Sequence, residues 1–156
     1  MAEFLKRSRK VWRSETGAEF IEFALALPVL LLVILGIMDF GMMFQQYEVI
    51  TNAAREGARV AVLPNYNPAT DAPARVQQYI NASFLSGGGT VTVLPPTTAN
   101  VNIGGNCMTT VTVTVTYPHQ YVYLAGIASY FKQTFGTKTL TASSTMRTEA
   151  IAPTCP

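Results

Sequence analysis

From Phe23 to Phe44 the chain reads FALALPVLLLVILGIMDFGMMF, an apolar run broken by one charge, Asp39. No other feature constrains the fold so tightly. As a helix this run is about 33 Å long, enough to cross a hydrocarbon core of about 30 Å. A secretory signal carries an apolar stretch of only about 7–15 residues. The run is therefore expected to stay in the protein as a transmembrane helix. Charge sets its direction. Residues 1–17 hold Lys6, Arg7, Arg9, Lys10 and Arg13 against Glu3 and Glu15, a net of +3. Positions 18–156 hold six Lys or Arg against seven Asp or Glu, a net of −1. The positive-inside bias places residues 1–17 in the cytoplasm and everything after Gln45 on the far side.

The same split excludes a function class. The overall net charge of +2 belongs to the leader, not to the folded part. Nucleic-acid binding needs Lys and Arg clustered on the domain itself, and that cluster is missing from the sequence. Zinc is excluded in the same way. A structural site needs about four ligands, and the chain offers His119, Cys107 and Cys155 with no C-x-x-C. In an oxidising compartment, the natural use of two cysteines is one disulfide, Cys107–Cys155. No nucleophile elbow, metal cluster or nucleotide fingerprint occurs, so no enzyme activity and no cofactor are expected. His119, without a partner carboxylate or serine signature, reads as a structural histidine.

Directly before the apolar run stand Gly17, Ala18, Glu19, Phe20, Ile21, Glu22 and Phe23. This resembles the type IV prepilin signal, in which the leader ends in Gly and the fifth mature residue is Glu. On that resemblance, cleavage falls between Gly17 and Ala18, and Glu22 and Phe23 are the fifth and sixth mature residues. The chemistry is intelligible. A peptidase at the membrane face must approach bare backbone, and Gly has no side chain in the way. Glu22 is a carboxylate at the bilayer edge, where charge is expensive unless paired. The new N-terminus of a neighbouring subunit is a cation at the right depth. The bland alternative is an uncleaved signal anchor with Glu22 among the headgroups.

Beyond Phe44 no helix breaker occurs until Pro64, so the helix is expected to continue to about residue 63. Ala53, Gly57 and Ala61 recur four apart, which marks a close-packing stripe. It serves either the chain's own sheet or a contact between subunits. Together, GAEFIEFALALPVLLLVILGIMDFG and NAAREGARVAV closely resemble the TadE-like pseudopilins of tight-adherence (Flp) pilus systems. The resemblance is dense from Gly17 to Val62 and looser beyond. It implies a minor pilin or pseudopilin in the bacterial inner membrane with a periplasmic domain, and entry into an extracellular pilus is one fate. It also implies as partners a prepilin peptidase, other pilin-like subunits and the pilus assembly platform. A membrane-anchored periplasmic binding protein is the rival reading. Pro28 is expected to loosen the helix. Asp39 either reaches the interface, stays protonated, or pairs with a cation on a partner helix.

The expected fold is α+β, in three parts. Residues 1–17 are the leader, 18–63 the long helix, and 64–156 a small extracytoplasmic domain. In that domain Asp71 is a plausible N-cap, with Pro73 in the first turn. Val76, Ile80 and Phe84, with Tyr79 alongside, form an apolar helical face. Gly87, Gly88 and Gly89 end the helix in a turn. Thr90–Leu94, Met108–Tyr117 and Thr137–Ala150 read as strands, with Val111, Val113 and Val115 on one face. A short fourth strand falls at Val101–Ile103. The strands make a 3–4-stranded antiparallel sheet. The aromatic link 118–136 is expected to pack on the domain's own core, with a partner-binding or membrane-surface patch as alternatives.

Overall fold

A computed structural model of the 156-residue chain describes residues 15–83, 85 and 89–151. Helix α1 spans Glu15–Ala61 without a break, passing through Pro28. Its 47 residues make a rod of about 70 Å. The two ends live in different surroundings. From Phe20 to Ile34 the apolar side chains are exposed, Phe20 and Leu25 each at 73%. From Ile50 onward, Ile50, Ala53, Ala54, Ala58 and Ala61 are buried. The rest of the chain folds around this second half.

Helix α2 (Pro68–Ala82) begins earlier than the sequence suggests. Its N-cap is Asn67, not Asp71. The Asn67 side chain accepts from the Ala69 amide at 3.0 Å, and Pro68 takes the first helical position. Asp71 then reaches back and accepts from the Asn67 amide at 2.7 Å. Proline favours the first turn because its missing N–H is an orphan there anyway, and with Asp71 bonded back to the Asn67 amide the helix takes the earlier start. Val76 and Ile80 are buried as expected and Tyr79 packs against the core, while Phe84 lies outside the described residues.

Four antiparallel strands follow: β1 (Thr92–Val93), β2 (Thr97–Ile103), β3 (Asn106–His119) and β4 (Lys138–Ile151). β3 is central. β4 pairs along one edge of it, and β2 and β1 pair in succession along the other. The alternation seen in the sequence is real: Val111, Val113, Val115, Tyr117 and His119 are buried, and the intervening residues are half-buried. β2 is longer than the short strand expected at Val101–Ile103. Ile103 faces Asn106 across Gly104 and Gly105, whose φ values are 61° and 86°. Two consecutive positive-φ residues make the tight turn that matches strand twist, and glycine supplies both at no steric cost. A Gly-Gly pair between polar strands was the signal for the full hairpin. The strand expected at 90–94 shrinks to the paired residues Thr92 and Val93, with the Leu94 amide still donating to Thr114 before Pro95 and Pro96 close it.

The second half of α1 lies on the valine face of the sheet, and α2 packs against α1. Gly57 stands where the three meet. A Cβ built there would sit 2.5 Å from Val76 Cγ2 and 3.3 Å from Val113 Cγ1. The small-residue stripe is thus the seat of the chain's own domain, with Ala53 at 0% exposure and Ala61 at 3%.

Candidate anchoring and assembly site

The chemistry-bearing residues of α1 fall into three groups along its axis. At the N-terminal end, Gly17 and Ala18 lie in the first turn, and Glu22 and Phe23 follow one turn later. Phe23 is 59% exposed, and Glu22 is also exposed. Among the described residues Glu22 has no hydrogen-bond or ion-pair partner. Leader residues 1–14 lie outside the described residues. The helix is long and apolar enough to cross a membrane, and none of its most apolar window is buried inside the chain.

The second group sits where the exposed half of α1 meets the domain, and it is the part that sequence reasoning missed. Asp39 is fully buried. Its Oδ1 accepts from the amides of Val122 at 3.0 Å and Tyr123 at 3.2 Å, and its Oδ2 accepts from Leu124 at 2.7 Å. These are the first amides of helix α3 (Tyr123–Tyr130). The N-cap residue of α3 is Val122, whose side chain cannot accept a hydrogen bond. A carboxylate from far earlier in the chain, on α1, does the capping instead. The positive end of the α3 dipole and three donors hold that carboxylate, so it needs no cation from a partner helix. Two of the three expectations for Asp39, interfacial escape and pairing between subunits, do not describe this arrangement. Two turns further on, Gln46 and His119 meet at 2.6 Å through Oε1 and Nδ1, both residues buried. Tyr121 stands edge-on to the His119 ring, 4.9 Å between centroids. Burial pulls the His119 pKa down, and the nearby Asp39 charge opposes this. His119 is a core residue with Nε2 unpaired among the described residues. The aromatic link therefore forms a short helix, but it packs on α1 at Asp39, and much of it stays outside the core. Tyr130, Phe131 and Phe135 are exposed.

The third group ties α1 to α2. Glu56 Oε1 accepts from Arg59 at 2.8 Å and from Arg75 at 2.6 Å. Those two guanidinium groups hold the Glu56 carboxyl down at about 2, from an ordinary value of 4.5. A depressed carboxylate contributes stability above its unfolded pKa and loses it as pH falls towards its folded pKa. The domain is therefore expected to lose stability between about pH 4.5 and pH 2 through this group. Glu56→Gln should flatten that part of the curve, by about 1 kcal/mol given how open the arginines are. Urea unfolding at pH 5 and pH 3, for both proteins, checks it.

Among the described residues no three His, Cys, Asp or Glu side chains are grouped to hold a metal. Cys107 is disulfide-bonded, and Cys155 lies outside the described residues.

No curated protein and no solved structure matches the chain. The family model for TadE-like proteins matches residues 17–59. The matched stretch opens at Gly17, takes in Glu22 and the exposed apolar surface, and reaches Gly57 in the domain seat. TadE-like pilins are structural rather than enzymatic. Over residues 17–59, therefore, the helix that carries the domain is similar to TadE-like proteins.

Proposed function

We propose that the protein is a minor pilin or pseudopilin that assembles into or primes a tight-adherence type IV pilus. It is anchored in the bacterial inner membrane by α1, with its domain in the periplasm. A prepilin peptidase cuts it between Gly17 and Ala18. One observation carries the reading. A single uninterrupted helix carries Gly17, Glu22 and Phe23 at the start of its exposed half and buries its small residues in a domain at the other. Before assembly the bare half faces lipid. In a filament the same surface faces the helices of neighbouring pilin-like subunits, delivered by the assembly platform.

Processing has a structural requirement. Gly17 and Ala18 are helical, and a peptidase needs an accessible, extended backbone. Thr16 and Gly17 are both poor helix formers, so the first turn opens at low cost. Gly17→Leu strengthens that turn and blocks close approach. The variant is expected to remain at full length in the membrane, whereas the native protein loses the leader from Met1 to Gly17. Intact-mass measurement of both from the native host is the test. Normal maturation of the Leu variant would remove the prepilin reading, and an intact leader on the native protein would favour an uncleaved, membrane-anchored binding protein.

The periplasmic placement also makes Cys107–Cys155 a disulfide, since these are the only cysteines in the chain. It pins the C-terminus to β3 and stabilises by about 4 kcal/mol in the chain-entropy model. Alkylation of the denatured, unreduced protein should find no thiol. Two reactive thiols would refute the pairing.

A further inference from the structure

We propose that the segment from Val122 to Phe135 is a second membrane contact, lying in the outer headgroup layer of the bilayer that α1 crosses, with its aromatic rings as interfacial anchors. The proposal rests on reading α1 as membrane-spanning. Depth is the first argument. Glu22 marks the inner edge of the apolar run, and about 20 helical residues cover the hydrocarbon core, which places the outer edge near Met42. Asp39 then lies about 5 Å inside that edge. The amides of Val122, Tyr123 and Leu124 bond to Asp39, so the start of α3 shares its level. α3 has 8 residues and is about 12 Å long. The other end of the segment is tied further out: the Phe135 ring stands 5.6 Å from that of Tyr121, Tyr121 4.9 Å from His119, and His119 bonds Gln46, about 6 Å beyond the edge. The headgroup layer occupies roughly 5–7 Å beyond the core on each side.

Chemistry is the second argument. Val122 is 54% exposed, Tyr130 87%, Phe131 69% and Phe135 52%. Tyr130 and Phe131 stand edge-to-face with centroids 5.6 Å apart. Ile37, Phe40 and Phe44 of α1, within about 8 Å of the Asp39 level along the helix axis, are exposed as well. Between residues 118 and 136 there is no acidic residue, and the one formal charge is Lys132. Tyr123 and Tyr130 are amphipathic rings of the kind the interfacial belt favours, Phe131 and Phe135 are apolar and suit its acyl side, and Lys132 meets phosphate. In water the same patch is an aggregation liability. The Asp39 cap holds this belt at a fixed height on α1, so the domain has a set tilt against the membrane.

The test uses the full chain in phosphatidylcholine vesicles. Trp12, the only native tryptophan, is replaced by Phe, and a single reporter is introduced as Phe131→Trp, Tyr66→Trp or Leu30→Trp. Lipids brominated near the headgroup end of the acyl chain quench nearby tryptophan, and iodide quenches tryptophan in water. The reporter at position 131 is expected to lose most of its emission to the brominated lipid and to be shielded from iodide. The one at 66, on the exposed far end of the domain, should show the reverse. A position-131 reporter that behaves like position 66 overturns the proposal. One shielded from iodide yet unquenched by lipid also overturns it, because another protein then covers the patch. The reporter at 30 lies near the bilayer centre, so it is read with lipids brominated near the methyl end of the acyl chain, and it separates the two readings. If it too escapes lipid quenching, α1 does not span the bilayer and both readings fall. If it alone is quenched, only the belt falls.

Discussion

In the Asp39→Ala variant the amides of Val122, Tyr123 and Leu124 are expected to exchange with solvent deuterium far faster than in the native protein, while β3 amides keep their protection. Asp39 accepts from all three amides, and α3 has no side-chain cap of its own. Removing the carboxylate leaves up to three donors unpaired beside apolar surface. An unsatisfied buried donor costs about 1–3 kcal/mol. The helix relaxes by undocking and recovering some partners from water, so the expected loss for the junction is about 2–4 kcal/mol. The core around Val113 and Gly57 lies elsewhere on α1 and should unfold at nearly the native denaturant concentration. Asp39→Asn keeps one acceptor oxygen, and Asn is a good capping group. It should fall between the two. Exchange measured by mass spectrometry in detergent micelles reads all three proteins. Unchanged protection at 122–124 in the Ala variant would show that α3 is held by packing alone.

Glu22→Ala is expected to be inserted and cleaved like the native chain, yet to fail at assembly. In a lone subunit Glu22 is exposed one residue before the apolar run, where water and headgroups remain within reach. Surrounded by the helices of other subunits, it loses them. A charged side chain at a helix centre costs roughly 2.5–3.5 kcal/mol on insertion scales, and an opposite charge must offset part of this. The α-amino group created by cleavage after Gly17 is the cation we assign to it. Losing that pair should weaken incorporation at least about tenfold, the effect of about 1.4 kcal/mol. Cleavage followed by mass, and co-purification with other pilus subunits from the same cells, separate the two steps. Full co-purification and normal piliation would leave Glu22 as a carboxylate at headgroup level with no part in assembly.

Some of this was legible because it is local. Val111, Val113 and Val115 alternate with threonines, and such a pattern has one sensible conformation and one buried face. Asp71 shows where local reading erred. Two helix starts lay one turn apart, both with a cap and a proline, and the choice depended on Asp71 reaching back to Asn67. Gly57 shows a reading left open. Small residues one turn apart announce close packing, but not the packing partner. Val76 on α2 and Val113 on β3 are that partner, and both arrive from later in the chain.

By itself the sequence determined the membrane-length helix, the Gly17–Glu22 motif and the strand alternation. Each depends on hydrophobicity, charge or spacing within a single segment. The tertiary structure alone decided that the small-residue stripe seats the chain's own domain, that Asp39 caps a helix formed far along the chain, and that Gln46 and His119 share a buried hydrogen bond. A carboxylate in an apolar run must find partners, and sequence states that need clearly. Which partners it finds depends on where the chain returns, and that is fixed only when β3 delivers residues 119–124 to the side of α1.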